Sequence, residues 1–428
     1  IKDIGSEDDH IWEVTEINDT EIALKDLDAE TFGGILAGVS RSLIYNGWQN
    51  IPARRILQND NVIDVQANEV DAALNSSNEE YTPVEETENE ILPQEQIEIT
   101  KVDQPVPSKV NYEITDELLG VGDKRTKYQW NAEAIKTLKK IESEGRSATE
   151  EEQKILSKYV GWGGLSEVFD PSKTSWNREY KELQNILTDS EYSAASESTL
   201  TAYYTQPVVI KAIYEALHNM GFEKGNILEP SMGTGNFFGL LPKEFEKSKL
   251  YGVEKDSLTG RIAQQLYPNA DVKVCGYEES NYSDSFFDVA VGNVPFGNFQ
   301  VYDRQYNKLH FMIHDYFFAK TVDQLRTGGI MAFITSSGTM DKENSTARKY
   351  LAERCNLLGA IRLPNNAFKA NAGTEVTSDI IFLKKRETLN PNIESWVDVS
   401  TDQNGLTYNS YFVDHPEMVL GTMKEVSG

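Results

Sequence analysis

Between residues 200 and 386 seven short apolar runs alternate with amphipathic helical patterns, and this rhythm constrains the fold more than any other feature of the chain. The runs are GNILEP, KLYGVEKD, VKVCGY, FFDVAVGN, GGIMAFITS, LLGAIRLP and TSDIIFLKK, and the helical patterns fall near 206–220, 258–267, 311–326 and 343–354. Strands separated by helices predict an α/β fold, a parallel sheet covered on both faces. The last two runs have no full helix between them, which predicts a reversed edge strand made by a hairpin return. One run, FFDVAVGNVPFGNFQ at 286–300, breaks from apolar residues into Asn293-Val294-Pro295-Phe296-Gly297. It reads as a central strand whose carboxyl end opens into a stiff loop, and that end is where open α/β sheets bind ligands.

The net charge of −27 argues against a nucleic-acid partner until its distribution is considered. Residues 1–120 hold 7 of the 41 basic and 27 of the 68 acidic residues, so the remaining 308 residues carry 34 and 41 and have room for a local basic face. Residues 1–58 read as a small, mostly β module, and 59–112, acidic and interrupted by proline, as a disordered linker. Residues 113–199 read as a helical domain, because NAEAIKTLKKIESEG keeps its apolar residues on one face and SATEEEQKILSKYV opens with a Ser/Thr cap followed by glutamates. Residues 200–390 form the α/β domain, and 391–428 an extension toward a further domain. The glycines of GWGGL, from Gly161 to Leu165, read as a tight turn around a packed Trp162, with close approach to a ligand as the alternative.

No run of 18 apolar residues and no secretion signal is present, so a cytoplasmic protein without a membrane partner is expected. Cys275 and Cys355 lie in apolar runs without a Cys-x-x-Cys or a nearby histidine pair, which predicts buried structural thiols and no metal site.

The chemistry-bearing residues gather at strand ends. ILEPSMGTGNFFGLLP, residues 227–242, sets Gly233 and Gly235 between a strand and a helix, where the backbone can pass close to a ligand. Glu229 and Pro230 end that strand, and Glu254, with Asp256 as the substitute, ends the next, placed to accept hydrogen bonds from two ribose hydroxyls. Glu229 beside the turn suits a ligand carrying an ammonium group, such as the amino-acid end of S-adenosyl-L-methionine. Asn293 and the Val294 carbonyl offer acceptors for the two hydrogens of an exocyclic amine, Pro295 stiffens the loop, and Phe296 offers a face for stacking on a flipped base. Phe299 is the alternative for that stacking role.

This order of motifs resembles the amino-methyltransferases that make N6-methyladenine in DNA, whose signature is Asn/Asp-Pro-Pro-Tyr/Phe/Trp. AYYTQPVVIKAIYEAL, with Tyr204, Thr205 and Pro207, is similar to the segment before the glycine motif in type I modification subunits, and AIRLPNNAFKANAGTEVTSDIIFLKK to their last strands. The resemblance implies a Rossmann-like sheet, S-adenosyl-L-methionine as cofactor and DNA as partner. It implies cofactor contacts from Tyr204, Thr205, Pro207, Glu229, Pro230, Gly233, Gly235 and Glu254, and from Glu278 toward the adenine. Arg304, Lys308 and Phe368 are candidate DNA contacts. Two positions depart from the pattern. Val294 replaces the first proline and adds an N–H that needs a partner, and GYEES stands in for an acidic-aromatic pair.

The whole chain, beginning at Ile1 and ending in YFVDHPEMVLG, also resembles the methyltransferase portion of long plasmid, phage and conjugative-element proteins that continue into a helicase. Protection of mobile-element DNA from restriction is the role this implies. Two other readings stay open: a DNA-binding or anti-restriction module with impaired catalysis, and methylation of a glutamine side chain on a protein.

Overall fold

The computed structural model describes strands at 12–17, 21–26, 35–40, 56–58 and 61–63, and then residues 110–116, 119–200, 205–367, 376–392 and 394–424. The chain divides into two compact units, residues 1–100 and 101–428. In the first, β1 (Trp12–Ile17), β2 (Glu21–Asp26) and β3 (Ile35–Ser40) form an antiparallel sheet in that order. A separate hairpin pairs β4 (Ile56–Gln58) with β5 (Asn61–Ile63). β5 falls inside the stretch read from sequence as linker; its signal is the two-residue interval Asn59-Asp60 between two apolar triplets, a spacing that hairpins use. The acidic residues 64–109 lie outside the described residues.

The second unit begins with helices whose ends are written in the sequence. In α1 (Lys124–Ser143) Asp123 caps the first turn by accepting from the Thr126 N–H at 2.8 Å, and Tyr128, Ala134, Ile135, Leu138 and Ile141 fall on one buried face. α2 (Glu150–Leu156) opens with a capping box between Thr149 and Glu152, and after α3 (Asn177–Ile186), α4 (Asp189–Glu197) repeats the device with Thr188 and Glu191. These helices share one hydrophobic core with a face of the sheet: Leu138, Leu156, Trp162 and Leu183 cluster with Ile210, Ile262, Val289 and Ile334.

After α5 (Pro207–Asn219) come β6 (Asn226–Glu229), the short α6 (Asn236–Gly239), β7 (Lys249–Glu254), α7 (Ser257–Leu266), β8 (Asp271–Val274) and β9 (Phe287–Asn293). They are followed by α8 (Ile313–Gln324), β10 (Leu325–Ser336), α9 (Gly338–Asp341), α10 (Thr346–Arg354), β11 (Cys355–Leu363) and β12 (Ser378–Lys385). The sheet runs β11-β12-β10-β9-β6-β7-β8, with β8 through β10 parallel and β12 antiparallel to both neighbours. This is a Rossmann-like sheet, parallel except for β12. The expected reversed strand exists, but its place is corrected. β12 is inserted between β10 and β11, Ile330–Ser336 pairing with Ser378–Lys384, and β11 holds the edge. The physical reason is that the outer side of β10 is buried along Ile330–Thr335 and needs a partner, which the hairpin return supplies.

β9 is buried on both faces from Phe287 to Gly292, as a central parallel strand should be. The outer strands are tied by a buried cation: Arg362, 2% exposed, donates to both Asp379 oxygens at 2.8 and 2.9 Å and to Asp341 at 2.9 Å. Among the described residues no helix is long and apolar enough to cross a membrane.

Candidate functional site

The carboxyl ends of β6, β7, β8 and β9 converge on a cavity of about 880 Å³. Of the residues singled out from sequence, Thr205, Glu229, Pro230, Gly233, Glu254, Glu278, Asn293, Val294, Pro295 and Phe296 are in its wall. Others are elsewhere. Pro207 is buried at the first turn of α5, a position that suits a residue without an N–H. Arg304 and Lys308 are exposed on the loop that follows β9 and are not part of the wall. Tyr204 and Phe368 lie outside the described residues.

The two glycines of the turn do different work. Gly233, at φ +55°, turns its N–H onto a Glu254 carboxylate oxygen at 2.8 Å, and the Asp256 N–H takes the other oxygen at 2.8 Å. Gly235, at φ +82°, has no place in the wall. A Cβ there would sit 2.5 Å from the Tyr267 ring, so close packing of helix on sheet demands it. Gly235, expected from sequence to contact cofactor, is thus placed behind the wall and packs against Tyr267.

Two carboxyls dominate the electrostatics. Glu229 is 3% exposed, and its Oε2 finds no hydrogen-bond partner among the described residues. Burial, and then the charge of Glu254, push its carboxyl well above the ordinary value. Glu254 is raised to about 7 chiefly by burial, with the backbone N–H bonds opposing and the charge of Asp256 adding to the rise. Buried carboxylates held this way are stabilised by an arriving cation. S-adenosylmethionine fits the donor set: its ammonium would meet the Glu229 oxygen left without a partner among the described residues, and each Glu254 oxygen keeps lone-pair capacity that a ribose hydroxyl would use.

At the end of β9 the backbone is fixed on two sides. The Asn293 carbonyl accepts from the Ser231 hydroxyl at 2.9 Å, and the Val294 N–H donates to the Ile334 carbonyl of β10 at 3.0 Å. The donor that Val294 introduces thus has its partner, and its side chain, 1% exposed, joins the core beneath the loop. The Asn293 side-chain oxygen is buried and has no partner among the described residues, an acceptor held ready beside the cavity. Phe296 is half-buried in the wall, while Phe299 and Tyr302 line its open side at 52% and 82% exposure.

The helical segment supplies wall residues that sequence reasoning passed over, Tyr159, Ala194, Glu197 and Ser198, together with Gly161, for which close approach to a ligand was the alternative reading. Gly161 is held there by Asn131, fully buried, whose Nδ2 donates to the Gly161 carbonyl at 2.5 Å while its Oδ1 accepts from the Val160 N–H at 2.9 Å. The signal was the glycine cluster around Trp162. That ring is packed as expected, edge-on to Phe169 at 5.2 Å, yet Gly161 also borders the cavity. Cys355 is buried, but Cys275 is only partly so and lies in the cavity wall, a correction to its reading as a core thiol.

A sequence profile described as N-6 DNA methylase matches residues 186–405. The defense against restriction protein B of Escherichia phage P1 is 30% identical over 268 residues, covering 61% of this chain and 10% of that protein. The type II methyltransferase M.XamI of Xanthomonas campestris pv. amaranthicola is 27% identical over 231 residues, 48% of this chain and 43% of its own length. The methylase subunit of the type I restriction enzyme EcoEI of Escherichia coli is 27% identical over 198 residues, 40% and 39%. The chain thus spans a tenth of the phage protein and about two fifths of each methylase.

Proposed function

The chain belongs to the N-6 DNA methylase family, and from that premise we propose that it methylates the exocyclic N6 of adenine in DNA, acting in the cytoplasm on a base drawn out of the helix. S-adenosylmethionine, the cofactor of the family, supplies a methyl group made electrophilic by its sulfonium. Glu229 and Glu254 hold the cofactor's ammonium and ribose ends, and Gly233 lets the backbone come close between them. The Asn293 side-chain oxygen and the Val294 carbonyl accept the two amine hydrogens, which aims the nitrogen lone pair and steadies the positive charge that develops there. Phe296 stacks on the base.

The observation that carries this reading is the pair of buried oxygens without a partner among the described residues, Glu229 Oε2 and Asn293 Oδ1, in the wall of one cavity. One suits a cation and the other an amine N–H. The name of the phage relative supports a role in shielding DNA from restriction.

The test is transfer of labelled methyl to unmethylated DNA, single- and double-stranded, followed by digestion to nucleosides and identification of the product by mass. Asn293→Ala is expected to keep cofactor affinity by calorimetry and to lower transfer by about 10²- to 10³-fold. Equal loss of binding and transfer would remove Asn293 from the reaction. Cofactor binding without methylated DNA, in a wild-type protein that methylates glutamine peptides, would overturn the choice of substrate.

A further inference from the structure

The loop between β9 and α8 exposes two aromatic rings on the open side of the cavity, Phe299 at 52% and Tyr302 at 82%. Single exposed rings are ordinary on a protein surface, but the backbone that carries these two is pinned. The Phe299 carbonyl accepts from the Ile313 N–H at 2.9 Å. Asp303, the residue after Tyr302, takes the Tyr316 hydroxyl at 2.8 Å and the Lys320 ammonium at 2.9 Å on one carboxylate oxygen. Its N–H donates to Asn307 Oδ1 at 3.0 Å, and its carbonyl accepts from the Tyr306 and Asn307 N–H groups, each at 2.9 Å. Gly297 leaves room for Phe299, since a Cβ there would lie 2.6 Å from the ring. Tyr302 is therefore offered to solvent from a fixed base, so little backbone freedom is lost when something covers it.

We infer that Tyr302 enters the DNA stack at the position the target adenine vacates, with Phe299 behind it as the outer wall of the base slot. The inference rests on the reading of this cavity as a flipped-base site. A base drawn into the cavity leaves a gap in the duplex, and the unstacking that opens it opposes methylation of paired DNA more than of single strands. A ring on the rim, flat and sequence-tolerant, restores part of the lost stacking. Arg304 and Lys308, exposed on the same loop, bring positive charge to the flanking phosphates.

The experiment compares Tyr302→Ala and Tyr302→Phe with the wild-type 428-residue chain on plasmid DNA, native and heat-denatured. The ratio of duplex to single-strand methylation is expected to fall about tenfold in Tyr302→Ala and to return in Tyr302→Phe. An unchanged ratio, whether both rates drop or neither does, overturns the inference. In parallel, fluorescence anisotropy reads binding to an intact duplex and to one with an abasic site, where the gap already exists. Wild type is expected to prefer the abasic duplex and Tyr302→Ala to lose that preference. A preference kept in the variant overturns the inference even if wild type methylates neither DNA form, which would itself be the failure of the adenine-methylation reading.

Discussion

Replacing Glu254 with glutamine isolates the energetic consequence of burying a carboxyl at the end of β7. Burial lifts this group from its ordinary 4.5 to about 7 even though two backbone N–H groups bond it. A carboxyl whose value is raised by folding favours the folded state while protonated. Its contribution is complete below 4.5 and is lost as pH climbs through about 7. At about 1.4 kcal/mol per pH unit, the loss between pH 5 and pH 8 is about 2.5 kcal/mol. The unit spanning 101–428 has an unfolding entropy of about 0.7 kcal/mol/K on the usual per-residue scale, so this loss corresponds to about 4 °C in Tm. Glutamine does not titrate, and Glu229, present in both proteins, adds a slope that is no smaller in wild type, where the Glu254 charge helps to raise it, so about 4 °C is the least difference expected. Thermal unfolding without cofactor should therefore show the Tm of wild type, relative to Glu254→Gln, falling by at least about 4 °C from pH 5 to pH 8. A difference that holds constant, or that grows with pH, would mean that Glu254 is ionised without penalty and would refute the electrostatic account of the site.

Val294→Pro moves the loop toward the family signature, yet it removes the N–H that bonds the buried Ile334 carbonyl at 3.0 Å, and should lower stability by about 1–3 kcal/mol in urea titration. An unchanged or higher midpoint would show that the bond to β10 carries no weight. Asn131→Ala takes away both bonds that hold residues 160 and 161 and leaves one buried and one partly buried backbone group unpaired, at a cost of about 2–4 kcal/mol. Calorimetry on the folded variant should show weaker binding of S-adenosylmethionine, and wild-type affinity would detach that loop from cofactor binding.

The parts of the site that were legible in the sequence are those where chemistry and local backbone coincide. Glu229, Glu254 and Asn293 each end an apolar run, and strand ends on one side of a parallel sheet must meet, so their convergence follows from the alternation alone. Gly233 and Gly235 look alike in sequence and both have positive φ; only Tyr267, arriving from the end of α7, separates a ligand-side glycine from a packing one. Tyr159 and Glu197 escaped notice because Tyr159, just past the turn after α2, reads as a core aromatic, and Glu197, the last residue of α4, as a solvated charge. The partner of the Val294 N–H was equally hidden, since it depends on which strand lies beside β9. The order of β11 and β12 was out of reach for the same reason: apolar runs announce strands, not neighbours.

That order carries a consequence for how the protein is made. A ribosome releases β10 well before β12, the strand that covers its outer side, because Ser336 and Lys385 are separated by roughly 50 residues. At about 5–20 residues per second, the nascent chain carries an open apolar edge for roughly 3–10 s while every strand that builds the cavity has already emerged. The binding half of the molecule is thus complete in outline before its sheet is sealed. Slowing translation across 337–385 would lengthen that interval and favour aggregation over a working site.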